Sequence, residues 1–394
     1  MPRRLRVVYV DHVAQLSGAE LALLRTLRAL PYVDAHVILA EDGPLVDELR
    51  MAGLSVEILS MCARTRQLRK GSIRAGALPL RAVTDTARYS LVLARRLRQL
   101  RPDLVHTNSL KAGIYGGVAG RLAGVPVVWH VRDRIDEDYL PRAAVLLVRS
   151  LMRRLPAVLI ANSRATGATV PAGLVCDVIP SPIEPSAPAD PEPDEPRGDG
   201  PLVVGIVGRL APWKGQDVFL RAFAEAFAGG PQRAVVVGAP LFGQEEVAYS
   251  DGLRALAGEL GIGPRVDFRG HRADVASELR ELDVLVHAST IAEPFGQVVA
   301  EGMAAGLAVL ATAAGGPTEI VTDGVDGLLY PPGDVRALAL LLRRVDADAG
   351  LRVRLGAAAR DRAAAFSPAA VAERVMTAYE RALHVTGRRL SPLR

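Results

Sequence analysis

The chain has 394 residues, of which 49% are hydrophobic and 23% charged, a composition sufficient for two domains with large apolar cores. It has no run of about 18 apolar residues, and its two cysteines exclude a disulfide framework, which together favour a cytoplasmic protein. The net charge of +5 favours phosphate-bearing substrates or an anionic membrane surface, whereas an aromatic content of 4% argues against a nucleic-acid partner.

The first half of the sequence alternates short β-branched segments with longer helical patterns. Helices are predicted at 19–30, 45–52 and 82–100. Strands are predicted at 5–10, 36–40, 55–59, 104–106, 125–130 and 158–161. This alternation predicts a parallel sheet covered by helices on both faces.

A segment rich in proline and acidic residues, SPIEPSAPADPEPDEPRGDG, ends this first half. It can neither continue a helix nor pair in a central strand, and predicts a linker at 183–200. We therefore assign a first domain to 1–182, a second to 201–375, and a C-terminal helix and tail to 376–394. Whether that helix returns to the first domain stays open.

The strand pattern restarts after the linker, at 202–207, 234–237, 266–268, 284–287 and 308–311. The sequence thus predicts an α/β protein with two doubly wound, Rossmann-like domains facing a central cleft. Ligands of such sheets bind beyond the carboxyl ends of the strands.

A short glycine loop, Ser17-Gly18-Ala19, follows the first strand and opens a helix. Glycine lets the backbone approach a ligand closely. A helix N-cap at Ser17 explains the same residues equally well.

The string GRLAPWKG, residues 208–215, follows the first strand of the second half. Arg209 and Lys214 lie on its loop, where cations can neutralise a diphosphate and stabilise it as a leaving group. Taken alone, the two residues are also explained as surface cations. Only three of the 48 basic residues are lysines, so a lysine at 214 is unusual for this chain.

The string AEPFGQVVAEGMAAGLAVLATAAGGPTEIVTDGVDGLLYPPGD spans 292–334. Glu293 precedes a predicted helix at 296–305 and Glu301 lies one turn inside it; an ordinary capped helix with solvated glutamates is the alternative. Four backbone N–H groups at the helix start predict an anion site. They belong to Phe295, Gly296, Gln297 and Val298.

These strings together resemble the family 4 retaining glycosyltransferases, which have the two-domain GT-B fold. The segments VHTNS at 105–109, WHVRD at 129–133 and ANSRAT at 161–166 are also similar to the family. The resemblance extends from about residue 5 to residue 380.

The resemblance implies a role for each matching residue. Arg209 and Lys214 would bind the donor diphosphate, Glu293 would lie near the transferred sugar, and Glu301 would bind the ribose. His130 would face the donor sugar. The remaining implied contacts are Gly18 near the phosphates and acceptor, Asn108 in the substrate site, and Arg269, Gly270 and His271 beside the nucleobase.

Two positions depart from the family pattern. Ser17 replaces the first of two glycines in the early loop. Its side chain is expected to narrow the space through which a phosphate approaches the backbone. Ser181 and Pro182 replace the usual Asn-Gly of the VIPNG turn, a change expected to alter only the hinge.

Three further features have competing explanations. Asp136 and Asp138 match a DxD metal motif of another glycosyltransferase fold, but a solvated face is the favoured interpretation. The basic segment 64–74 is either an acceptor or membrane patch or a solvated loop, and the loop is favoured. The basic amphipathic helix 142–155 could contact a membrane peripherally, at the inner face, although packing of its apolar face on the sheet is commoner.

The predicted reaction is retaining transfer of a sugar from a nucleoside diphosphate sugar to an acceptor hydroxyl. UDP-sugars are favoured over GDP- or ADP-sugars, and neither cofactor nor metal is expected. A nucleotide-sugar epimerase of the same fold and a non-catalytic binding module are the alternatives. The sequence leaves the sugar and the oligomeric state open. It also leaves the acceptor open among cell-envelope glycan, glycolipid and natural-product biosynthesis.

Overall fold

The computed structural model describes residues 4–30, 32–62, 80–184, 200–241 and 243–387. The chain divides into two α/β units. Unit 1 comprises Met1–Pro182 and Pro368–Arg394, and unit 2 comprises Ile183–Ser367. The predicted basic segment 64–74 and most of the predicted linker lie outside the described residues.

The described part of unit 1 contains a parallel sheet of seven strands in the order β3-β2-β1-β4-β5-β6-β7. The strands are β1 Leu5–Asp11, β2 Val33–Leu39, β3 Ser55–Ile58, β4 Leu104–Thr107, β5 Val127–Val131, β6 Val158–Ala161 and β7 Cys176–Val178. The helices between them are α1 Gly18–Arg28, α2 Pro44–Met51, α3 Leu80–Leu100, α4 Leu110–Ala123, α5 Arg142–Met152 and α6 Arg164–Gly167. The central strands are apolar along their length because helices cover both faces of the sheet.

The described part of unit 2 repeats this plan, with six parallel strands in the order β10-β9-β8-β11-β12-β13. The strands are β8 Val203–Val207, β9 Arg233–Val237, β10 Val266–Gly270, β11 Val284–His287, β12 Ala308–Thr312 and β13 Leu328–Tyr330. The helices are α7 Gln216–Ala226, α8 Gly243–Glu259, α9 Val275–Arg280, α10 Gln297–Ala304, α11 Pro317–Ile320, α12 Val335–Ala347 and α13 Ala349–Ala363. The prediction of two doubly wound Rossmann-like domains is confirmed.

The strands absent from the sequence prediction are β7 and β13. Each has only three residues, which is too short to show the apolar pattern of a strand. The other predicted strands agree with the structure to within a few residues at each end.

Two predicted domain boundaries are wrong. The last helix, α14, spans Pro368–Val385 and belongs to unit 1, so the boundary predicted at 375/376 falls inside it. It packs a stripe of residues at four-residue spacing, Val371, Val375 and Tyr379, into the core of unit 1. Ile183, placed in the linker, is buried in unit 2 and donates its N–H to the Phe366 carbonyl at 2.9 Å.

No helix in the described part of the chain combines the length and hydropathy that a membrane span requires.

Candidate functional site

Each sheet reverses its strand order at one point, between β1 and β4 in unit 1 and between β8 and β11 in unit 2. Ligands of doubly wound sheets bind beyond the carboxyl ends of the strands at this point. Asp11 ends β1 and Asn108 follows β4, while Arg209 follows β8 and Glu293 follows β11. Both units therefore place polar side chains where the topology favours a ligand.

Glu293 is the centre of the unit 2 cluster and is only 5% exposed. Its Oε1 lies 2.5 Å from Lys214 Nζ and 3.2 Å from His287 Nε2, and it accepts a hydrogen bond from the Ser289 hydroxyl. Burial alone raises the pKa of this carboxyl, but the charges of Lys214 and His287 outweigh burial and hold the pKa well below its usual range. The side chain is therefore an ionised carboxylate at neutral pH.

The backbone holds the Lys214 and Glu293 loops together. Gly215 has φ +69°, and a Cβ there would lie 2.0 Å from the Ala288 carbonyl oxygen, so this close approach requires glycine. The Thr290 N–H donates to the Trp213 carbonyl at 2.8 Å. The geometry of the buried ion pair thus follows from how the two loops pack.

Helix α10 begins at Gln297, four residues after Glu293. Its N-cap, Gly296, has φ +95°, a conformation that favours glycine. The first N–H groups of the helix, at Gln297 and Val298, have no acceptor within the helix and carry its positive dipole end. Glu301 lies one turn further and accepts from Gln297 Nε2 at 3.0 Å. An anion is therefore favoured at this helix start.

Arg209 and Lys214 share one aromatic ring that sequence reasoning missed. The Arg209 Cζ lies 5.4 Å and the Lys214 Nζ 4.6 Å from the centre of the Trp213 ring. Arg209 Nε also lies 3.5 Å from Glu246 Oε1. The two predicted diphosphate ligands therefore lie on the same aromatic side chain.

The predicted nucleobase segment, Arg269 to His271, follows a different pattern. The Arg269 guanidinium lies within 2.8 Å of three carboxylates, which raise its pKa above the usual range. These belong to Asp267, Glu278 and Glu281. Gly270 has φ +69° and His271 is exposed. The Arg269 side chain is thus held by the protein's own acids.

Asn108 connects the polar cluster of unit 1. Its Nδ2 donates to Asp11 Oδ2 at 2.7 Å, and its Oδ1 accepts from Arg132 Nε at 2.8 Å. Arg132 Nη1 donates in turn to the buried Ser181 hydroxyl at 3.2 Å. The expectation that Ser181 affects only the hinge is therefore wrong, because its hydroxyl belongs to this cluster.

A second buried carboxyl of unit 1, besides Asp11, belongs to Glu20 and lies next to the early glycine loop. Gly18 is exposed as the first residue of α1, and Ser17 occupies the N-cap position. The Ser17 hydroxyl does not cap the backbone but donates to Glu20, which is 2% exposed. Burial and the nearby charge of Asp11 raise the pKa of Glu20 to about 8. Sequence reasoning did not single out Glu20.

His130, on β5, ends a buried chain of hydrogen bonds. Tyr379 OH lies 2.9 Å from Tyr9 OH and 2.8 Å from His106 Nδ1, and His106 Nε2 lies 3.3 Å from His130 Nδ1. Burial lowers the pKa of His106 to about 3 and that of His130 well below its usual range, so both rings are neutral. Within the described residues, His130 Nε2 is buried without a hydrogen-bond partner. His130 therefore offers an uncharged ring nitrogen.

The DxD residues are engaged by an arginine. Arg134 lies 3.6 Å from Asp136 and 2.7 Å from Asp138. The side chains of Asp136 and Asp138 are 44% and 56% exposed, in agreement with a solvated face.

Helix α5 packs its apolar face as the sequence favoured, with Val145, Val148 and Met152 buried. Leu146 and Leu147 point away from this core, at 61% and 40% exposure.

The two Rossmann-like units define the GT-B fold of glycosyltransferases, and solved structures agree. Anabaena Alr3699/HepE in complex with UDP and glucose is 28% identical, with a TM-score of 0.80 over 95% of this chain and 99% of that chain. The same Anabaena protein in complex with UDP-glucose is 27% identical, with a TM-score of 0.80 over the same shares.

Family comparisons match both halves of the chain. Glycosyltransferase Family 4 matches residues 44–186, and Glycosyl transferases group 1 matches residues 191–362. The chain belongs to the family 4 glycosyltransferases.

Curated relatives include a D-inositol 3-phosphate glycosyltransferase from Stackebrandtia nassauensis. It is 39% identical over 204 residues, which cover 50% of this chain and 45% of that protein. This chain spans about half the length of the curated relatives it matches.

Proposed function

We propose that this protein is a retaining glycosyltransferase that moves a sugar from a UDP-sugar to a hydroxyl of its acceptor. The observation that carries the proposal is the Lys214–Glu293 ion pair, whose glutamate lies on the loop that precedes helix α10. The Anabaena protein's complexes with UDP and UDP-glucose support the choice of uracil nucleotide.

The donor diphosphate binds to the positive groups of unit 2. Lys214 and Arg209 are only partly exposed, at 20% and 26%, so their charges are weakly screened by water. The N–H groups at the start of α10 add donors for the phosphate oxygens. Lys214 already pairs with a carboxylate, so an incoming phosphate oxygen replaces or shares that partner. Glu301 binds the ribose.

Sugar transfer then requires stabilisation of the departing diphosphate. Lys214, Arg209 and the α10 amides supply it electrostatically. Retention implies attack from the face of the leaving group, with a β-phosphate oxygen accepting the proton of the acceptor hydroxyl. The Glu293 carboxylate orients the sugar hydroxyls, and the neutral His130 forms a hydrogen bond with the sugar.

Turnover is proposed to need no divalent metal, because arginine, lysine and helix amides supply the positive charge. The pairing of Asp136 and Asp138 with Arg134 supports this. The test is turnover in excess EDTA. Loss of activity on chelation, with recovery in magnesium or manganese, would restore the metal hypothesis.

The function is tested with a panel of UDP-, GDP- and ADP-sugars, first by thermal shift and then by turnover with candidate hydroxyl acceptors. Proton NMR of the product gives the anomeric configuration. We expect stabilisation by a UDP-sugar and a product with the donor's configuration. Sugar isomerisation without an acceptor would identify an epimerase, and donor binding without turnover with any acceptor would identify a binding module.

Peripheral contact with a membrane is a secondary proposal. Exposed Leu146 and Leu147 lie on α5 near the exposed Arg142 and Arg153, an arrangement that suits an anionic bilayer. Co-sedimentation with anionic but not neutral vesicles, lost in Leu146→Ser/Leu147→Ser, is the expected result. Equal sedimentation of the variant and the parent would contradict it.

A further inference from the structure

Trp213 contacts both of the cations proposed to bind the donor diphosphate. It is half-buried in a short 3-10 turn, Pro212–Lys214. Its ring centre is 4.6 Å from Lys214 Nζ and 5.4 Å from Arg209 Cζ. Both distances are within the range in which a cation is attracted to the face of an aromatic ring.

The turn fixes where this ring lies. Its last residue, Lys214, donates its N–H to the Ala211 carbonyl at 2.8 Å, and the Trp213 carbonyl accepts from the Thr290 N–H at 2.8 Å. The first bond closes the turn, and the second attaches the Trp213 backbone to the loop that carries Glu293.

Two like charges near one another repel, and long side chains lose rotamer freedom when they are ordered. The negative face of the indole offsets both costs, because it attracts each cation. Glu246 and Glu293 add one carboxylate contact to Arg209 and Lys214 respectively.

We infer that Trp213 is a positioning residue that holds Arg209 and Lys214 together as a clamp for a nucleoside diphosphate. The inference rests on the proposed function. It predicts that an aromatic ring at position 213 strengthens binding of the ligand's phosphates and does not affect binding of its nucleoside. It also predicts that phosphate binding changes the fluorescence of this indole.

The test compares Trp213→Leu, which removes the π face, with Trp213→Phe, which keeps one. UDP affinity is measured by calorimetry and uridine affinity by ligand-observed NMR. We expect the leucine variant to bind UDP roughly 10-fold more weakly, about 1.4 kcal/mol. The phenylalanine variant should recover much of this loss, and uridine affinity should be the same in all three proteins.

Fluorescence supplies an independent measurement. The chain has two tryptophans, and Trp129 is fully buried in unit 1, so it gives a constant background. UDP should change the emission of the wild-type protein in a saturable way, and Trp213→Phe should abolish the change.

Wild-type UDP affinity in Trp213→Leu, or an equal loss of uridine affinity, would overturn the inference and leave the proposed function standing. Absence of UDP binding to the wild-type protein would overturn both.

Discussion

Two buried glutamates, one in each unit, have opposite ionisation. Glu20 and Glu293 are 2% and 5% exposed, and each lies near the carboxyl end of the central strands of its sheet. Burial and Asp11 raise the pKa of Glu20 to about 8, whereas the charges of Lys214 and His287 overcome burial and depress the pKa of Glu293. The same residue type is therefore mostly protonated in unit 1 and ionised in unit 2.

The contrast extends to the surrounding side chains. Burial keeps His106 and His130 of unit 1 neutral. Neutral imidazole rings can form hydrogen bonds with hydroxyl groups. In unit 2 the partly exposed Lys214 and Arg209 suit an anion. One topology thus supplies two chemically different clusters. Lys214 and His287 contact the Glu293 carboxyl, whereas the Glu20 carboxyl lies near the negative charge of Asp11.

Of the substitutions that test this contrast, Glu293→Gln should have the largest effect, and that effect should be on turnover. If Glu293 orients the sugar in the transition state, turnover should fall on the order of 100-fold or more, about 2.7 kcal/mol. UDP affinity should be retained, because UDP has no sugar to orient and Lys214 keeps its charge. Steady-state rates and UDP titrations measure both, with the exposed Glu225→Gln as control. A variant that loses UDP affinity but keeps its turnover at saturating donor would contradict this role.

Lys214→Ala should weaken UDP binding by about 1.5–3 kcal/mol, as for a lost charge-assisted contact. It should also lower the melting temperature, because Glu293 is left as a buried charge without its ammonium partner. Adding Glu293→Gln should recover stability but not affinity, which separates the two effects. Exposed Arg221→Ala on α7 is the matched control. Wild-type UDP affinity in Lys214→Ala would remove this residue from the site.

Glu20→Gln should stabilise the protein at alkaline pH. The pKa of Glu20 is raised from 4.5 to about 8 on folding. A raised pKa contributes stability that is fully present below pH 4.5 and is lost as pH rises through about 8. The variant should therefore melt several degrees higher than wild type at pH 9, with the gap closing towards pH 4.5.

Glu293→Gln should show the opposite dependence in the same melting series, since its carboxyl pKa is depressed. Wild-type Glu293 contributes stability that is fully present above its unfolded pKa and is lost as pH falls through the depressed pKa of the folded protein. Parallel pH profiles for the two variants would contradict the contrast between the two glutamates.

Tyr379→Phe should have the smallest effect. It removes the hydroxyl that contacts both Tyr9 and His106, with a cost of about 1–3 kcal/mol for groups left unpaired. Tyr9→Phe, which leaves the contact to His106 intact, should cost less. Chemical denaturation measures both, and an equal loss in the two variants would argue against a chain that runs through Tyr379.

Sequence reasoning predicted much of this architecture, because apolar strands alternate with helices in both halves. It also placed Arg209, Lys214 and Glu293 on loops that follow strands, because the strands before them are recognisable in the sequence. It did not predict the ion pair between Lys214 and Glu293, which are 79 residues apart in the sequence. That contact arises only when the two loops pack together.

The unit 1 cluster was harder to predict for the same reason. Tyr379 meets His106 across 273 residues, and no local pattern indicates it. The spacing of apolar residues in α14 indicated a buried helix. It did not indicate that the Tyr379 hydroxyl on this helix forms hydrogen bonds. Glu20 sits in the first turn of α1, where an acidic residue is ordinary, and only tertiary burial makes it unusual.

Hydrogen–deuterium exchange with and without UDP tests the central claim most directly, because it shows which of the two clusters takes the diphosphate. Our account predicts that UDP protects the unit 2 amides at 208–216 and 295–301 and leaves the Ser17–Glu20 turn of unit 1 unchanged. Protection confined to the unit 1 segments around Asn108 and His130, with no change at 208–216 and 295–301, would contradict it.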